Sequence, residues 1–156
     1  MCGIIGIVGH RDVAARLVDG LRRMEYRGYD SAGVCTVHDG ALQRRRAEGK
    51  LNNLVEELAR NPAPGDTGIA HTRWATHGAP TEKNAHPHAT QSVALVHNGI
   101  IENFKELRDE LRAEGREFES ETDSEVVVHL ISRRIEQGMS PEEAVAKVLP
   151  RLRGAF

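Results

Sequence analysis

The residue with the widest chemical reach in this sequence is the second one, Cys2. Removal of Met1 is expected ahead of so small a side chain, and it leaves Cys2 with a free α-amine beside its own thiol. An α-amine has an ordinary pKa of about 7.7–8.0, so near neutral pH much of it can accept the thiol's proton. N-terminal threonine nucleophiles are activated in the same way. The plainer reading of Cys2 is a small residue buried in a strand.

Asn98-Gly99 follows the apolar run Val93 to His97. A side-chain amide and a glycine N–H at a strand end can stabilise an oxyanion, although the same dipeptide also makes hairpin turns. Glu102 onward has a helical pattern, so a plain hairpin is disfavoured. Arg73 and Asp123 carry the charges a free amino acid needs. A guanidinium fork matches a carboxylate bidentately, and a carboxylate can take an ammonium. Asp123 also stands where a cap for the helix Ser124 to Gln137 belongs, and on the residues alone the cap is favoured.

Five of the eight histidines, His71, His77, His86, His88 and His97, crowd one segment. With Cys2 they suggest zinc, but no H-E-x-x-H or C-x-x-C pair occurs, so no metal is expected. Hydrogen bonding that stiffens the segment is the preferred role. Cys35, within a strand, reads as inert core.

The elements that must position these groups are legible from periodicity. Cys2 to Gly9 reads as a buried strand. Asp12 caps a helix with Val13, Leu17, Leu21 and Met24 on one face, ended by Gly28. Ser31 to His38 and Ala41 to Arg46 form a hairpin through Asp39-Gly40. Leu51, Leu54, Val55 and Leu58 mark a second helix, and Asn61 to Asp66 a loop. Gly68 to Thr72 and Ser92 to His97 read as buried strands flanking the long irregular stretch Arg73 to Gln91, too varied for disorder. Helices follow over Phe104 to Leu111, ended by Gly115, and over Ser124 to Gln137, with a short strand at Arg116 to Ser120 between them. Ser140-Pro141-Glu142-Glu143 opens a last helix, to about Leu152, with a capping box. Gly154-Ala155-Phe156 looks like the opening of a further strand, which implies a chain truncated within its domain.

The 156 residues suit one domain. A net charge of -2 points to neither nucleic acid nor anionic membrane. The run Arg44-Arg45-Arg46 is expected to be a solvated face. No apolar run approaches the length of a membrane span, no signal peptide is evident, and two cysteines make no disulfide framework. A reducing cytoplasm is the expected compartment.

Together these segments resemble the class II glutamine amidotransferases of the N-terminal nucleophile hydrolase group, over essentially the whole chain. The start, Met1-Cys2-Gly3-Ile4-Ile5-Gly6, is similar to the group at large. Glu25-Tyr26-Arg27-Gly28-Tyr29-Asp30-Ser31 and His71-Thr72-Arg73-Trp74-Ala75-Thr76-His77-Gly78 resemble more narrowly the glutaminase domains of the glucosamine-6-phosphate synthase branch. Asn84 to His88, His97 to Asn103 and Thr122 to Glu125 continue that match in order.

The resemblance implies an α+β fold, a four-layer αββα sandwich of the N-terminal nucleophile hydrolase type, with residues 2–156 an incomplete glutaminase domain and Cys2 opening a central strand. It implies Cys2 as nucleophile, with Asn98 and Gly99 as oxyanion hole and Arg27 in support near the nucleophile. It implies Arg73, Thr76, His77 and Asp123 as the groups that hold glutamine, and Trp74 as a gate. It implies no cofactor. The partners would be glutamine here and fructose 6-phosphate in sugar-isomerase domains beyond this sequence, in a homo-oligomeric parent. Two alternatives stand beside it: another acceptor such as phosphoribosyl pyrophosphate, and an inactive fragment.

Overall fold

The computed structural model describes every residue except Met1, Thr76 and His77. Its centre is a four-stranded antiparallel sheet of β1 (Gly3–Val8), β2 (Ser31–His38), β3 (Ala41–Glu48) and β4 (Thr67–Arg73), in the order β1-β4-β2-β3. The hairpin between β2 and β3 turns at Asp39 and Gly40, both at positive φ (49° and 75°), the conformation a two-residue hairpin loop demands.

Helices α1 (Ala14–Arg22) and α2 (Leu51–Arg60) cover one face of this sheet. Leu17 and Leu21 of α1 and Leu51 and Leu54 of α2 are fully buried against Val34 and Ala70. Each such leucine contributes about 1.5–3 kcal/mol by burial. Over the other face lie two short ribbons, β5 (His88–Ala89) with β6 (Ala94–Leu95), and β7 (Ile100–Ile101) with β8 (Gly154–Ala155). Behind them pack α3 (Phe104–Ala113), α4 (Glu125–Glu136) and α5 (Pro141–Val148), around Ile101, Leu107, Leu111, Val126, Leu130 and Val148. The layers therefore run helix, sheet, ribbon, helix, an α+β arrangement.

Several expectations hold. The helical periods fall on α1 to α5, and Ser140 with Glu143 forms the reciprocal capping box. Gly154-Ala155 does begin a strand. Cys35 is buried, and burial pushes its thiol up to about 11, which leaves it protonated.

Others need correction. The strand behind Cys2 takes the outer position in the sheet, because β4 pairs with β1 on one side and β2 on the other. It is also not buried throughout, since alternation turns Ile4 and Val8 outward. Asp12 does not cap α1; its carboxylate accepts the Gly65 N–H at 2.8 Å, and Val13 holds the cap position. That helix stops at Arg22, and a separate 3-10 turn, Glu25–Arg27, precedes Gly28.

In the run Ser92 to His97 only Ala94–Leu95 pairs as strand, and it is half-buried. No strand forms over Arg116 to Ser120, whose backbone N–H groups at Glu119 and Ser120 instead donate to the Glu125 carboxylate. The run Arg44 to Arg46 is not a solvated face. Arg46 is 7% exposed, pairs with Glu119 at 2.5 Å and donates to the Lys83 and Ala85 carbonyls. Arg45 reaches the Asn61 and Pro62 carbonyls. Strand alternation sends Arg44 and Arg46 to one side, where both meet the Glu119 carboxylate, and Arg45 to the other, where it meets the two carbonyls.

Candidate active site

The site lies at the end of the sheet where β1 begins and β4 ends. The antiparallel register sets Gly3 opposite Thr72, which puts Cys2 beside the residues just past β4. The Thr72 hydroxyl accepts the Gly3 N–H at 3.1 Å, and the Trp74 N–H reaches the Cys2 sulfur at 3.2 Å. Cys2 is only partly exposed. A cleft of about 350 Å³ opens over it, lined also by Arg27, Arg73, Trp74, Asn98, Gly99 and Asp123.

Asn98 sits across the cleft, with its Nδ2 donating to the Cys2 carbonyl at 3.3 Å and its Oδ1 2.8 Å from His71 Nε2. Gly99 has φ +147°, and a Cβ there would strike the Ala155 carbonyl and lie 2.6 Å from Phe156 Cα. Only glycine fits so close an approach with that backbone. The β7–β8 pair holds the segment that follows.

Asp123 lies beneath that segment, 4% exposed, accepting the Ile101 N–H at 2.8 Å. It does not cap α4, so the reading favoured from sequence alone gives way: Ser124 is at the cap position and makes no side-chain cap bond. The Ser124 hydroxyl instead links Asp123 to His97 Nδ1 at 2.8 Å.

Arg73 is 4% exposed at the end of β4, donating to the Gly78 and Ala79 carbonyls, with Asp30 at 3.9 Å. Burial lowers its pKa, against the carboxylates of Asp30 and Asp123. Asp30 further accepts the Ala75 N–H at 2.5 Å, which ties the start of the irregular stretch to β2. Trp74 is half open to solvent and lies against Gly28. Arg27 is exposed at the rim. Thr76 and His77 lie outside the described residues.

Behind the cleft the histidines stack. The His71 and His86 rings are 4.3 Å apart and 18° from parallel, and His88 follows at 4.5 Å. Burial pushes His71 down to about 4, against its hydrogen bonds to Asn98 and the His97 backbone, and pushes His86 well below its ordinary value. Burial also lowers His97, against the attraction of Asp123. These rings are neutral near pH 7 and are spent on hydrogen bonds: His71 on Asn98, His88 on Thr122, His97 on Ser124. Among the described residues no group of three or more His, Cys, Asp or Glu side chains is arranged to hold a metal ion.

Sequence reasoning named Cys2, Arg27, Arg73, Trp74, Asn98, Gly99 and Asp123, and the fold brings all seven to one cleft. It missed Thr72 and the individual part of His71. The alternation along β4 that puts His71 and Arg73 on one face was the available signal.

Comparisons with known proteins bear on the family of this chain. A family model for the glutamine amidotransferase domain matches residues 71–156. The glutamine–fructose-6-phosphate aminotransferase (isomerizing) of Zymomonas mobilis is 67% identical over this whole chain, and that of Brucella suis 65%. In both cases the chain spans 26% of the relative's length. Among solved structures, the glutamine phosphoribosylpyrophosphate amidotransferase of B. subtilis superposes with a TM-score of 0.81 at 27% identity, covering 99% of this chain and 34% of that one. With the family model matched over more than half its residues, this chain belongs to the glutamine amidotransferase family.

Proposed function

We propose that residues 2–156 form the glutaminase part of a glutamine–fructose-6-phosphate aminotransferase. The observation that carries this reading is the meeting of Cys2, Asn98, Gly99, Arg73 and Asp123 in one cleft. Once Met1 is removed, the α-amine of Cys2 takes the thiol proton and Sγ attacks the side-chain carbonyl carbon of glutamine. The Asn98 amide and the Gly99 N–H hold the negative oxygen. The α-ammonium returns its proton to the leaving nitrogen, ammonia departs, and a thioester remains. Water then attacks the thioester, releasing glutamate and restoring the thiol.

Arg73 takes the α-carboxylate of glutamine and Asp123 its ammonium, assisted by Thr76 and His77. Trp74 gates the cleft, and Arg27 supports the nucleophile from the rim. The acceptor reading comes from the relatives at 67% and 65% identity, whose name specifies fructose 6-phosphate. The phosphoribosylpyrophosphate enzyme, at 27% identity, supports the shared glutaminase chemistry more than a shared acceptor. Ammonia would pass to fructose 6-phosphate in sugar-isomerase domains beyond these residues, giving glucosamine 6-phosphate in the cytoplasm. No helix among the described residues is long and apolar enough to cross a membrane.

The test is the full-length protein with Cys2→Ala, assayed for glutamate and for glucosamine 6-phosphate. The reading expects both products to vanish with glutamine as donor. Glutamate release at the unmodified rate would overturn it.

A further inference from the structure

We infer that His71 is the positioning residue of the oxyanion hole, its ring N–H fixing the Asn98 amide so that the amino group and not the carbonyl oxygen faces Cys2. This deepens the proposed function and rests on the reading of Asn98 given there.

Asn98 is exposed, and a primary amide in solvent has little to choose between its two flipped orientations. Those orientations are opposite in effect, since one aims N–H donors at a developing negative oxygen and the other aims a carbonyl dipole at it. His71 Nε2 and Asn98 Oδ1 lie 2.8 Å apart, so the presence or absence of a proton on Nε2 decides between them. When Nε2 carries the proton, Oδ1 is bound and Nδ2 is left facing the Cys2 carbonyl at 3.3 Å. With a lone pair on Nε2, the amide would have to turn and present its oxygen to the nucleophile. The tautomer and the flip are thus one choice.

His71 is built to make that choice firmly. It is fully buried and sits on β4, hydrogen-bonded between β1 and β2 with Ile4 and Gly33 as its register partners. The His86 ring stacks on it, and His86 Nδ1 in turn accepts the His97 N–H at 3.3 Å. Burial keeps the ring neutral, so it offers one N–H and one lone pair in place of two donors. A rigid, dry donor behind a solvent-exposed amide is how an outer group orients an inner one.

The test measures kcat and KM for glutamate release by the full-length protein with His71→Asn, His71→Gln, Asn98→Ala and the Asn98→Ala/His71→Asn pair. Asparagine keeps polarity but lacks reach to Oδ1, whereas glutamine can place an N–H where Nε2 lies. His71→Asn is expected to lower kcat by about 10–100-fold, with KM little changed, and His71→Gln to recover most of the loss. In the Asn98→Ala background, His71→Asn should add almost nothing, because the group it orients is gone. Losses that multiply in the pair, or a glutamine variant as slow as the asparagine one, would overturn the role of His71. An Asn98→Ala protein with unimpaired kcat would instead overturn the reading of Asn98 itself, a separate result.

Discussion

The backbone N–H of Trp74 holds the Cys2 sulfur at 3.2 Å, while the Trp74 indole rests against Gly28. The proposed nucleophile and Gly28 are therefore both contacts of one residue.

Gly28 is the shelf for that indole. Its φ of 74° and ψ of 145° lie in a region open only to glycine, and a Cβ there would come within 2.5 Å of the ring. Gly28→Ala is predicted to destabilise the fold by about 1–3 kcal/mol and to shift Trp74 outward. Trp74 is the sole tryptophan, so a denaturant melt followed by its emission reads both effects. An unchanged emission maximum and midpoint would contradict the packing.

Asp123 is buried and already accepts the Ile101 N–H, so its carboxylate is held in place before any ligand arrives. Asp123→Asn keeps the shape and removes the charge. A hydrogen bond to a charged group is worth about 1.5–3 kcal/mol, which predicts a rise in KM for glutamine of about 10–100-fold. Steady-state kinetics of glutamate release would show it. The same KM in both proteins would remove Asp123 from the ammonium site.

Acid should weaken this fold early. His71, His86 and His88 are held below their ordinary value by burial, so they favour folding above about 6.5, and that contribution fades as pH falls through their folded values. Glu125 acts in the same direction at lower pH. Burial alone would raise it, but hydrogen bonds from His129, Ser120 and the Glu119 and Ser120 backbone hold it well below the carboxylate range. Its contribution is present above about 4.3 and is lost below. Each proton taken up on unfolding steepens the loss by about 1.4 kcal/mol per pH unit. Thermal midpoints measured from pH 7.5 to 4 should fall continuously from about pH 6.5. A flat profile down to pH 5 would mean that these histidines are not buried neutral.

What the sequence conveyed and what it withheld divide along range. Periodic helices such as Leu51 to Leu58, the Asp39-Gly40 turn and the Ser140 capping box depend on neighbours a few residues apart, and each was legible. Asp12 was misjudged because its partner, the Gly65 N–H, lies 53 residues away. Arg46 was misjudged because Glu119 lies 73 residues away. The residues expected to act together do line one cleft, while several elements around them depart from expectation. Cys2, Arg73, Asn98 and Asp123 were each ambiguous alone, but as a resembling set they pointed to one chemistry. The part of His71 depends on which atom of Asn98 it faces, and no sequence pattern carries that.

The central claim is that Cys2 is an N-terminal nucleophile in a formed glutamine site. The most direct test is intact mass of the purified protein before and after treatment with a diazoketone analogue of glutamine. The account predicts loss of Met1 and one covalent adduct, located on Cys2 and prevented by excess glutamine. A retained Met1 on active protein, or an adduct that forms on Cys35 or ignores glutamine, would contradict it.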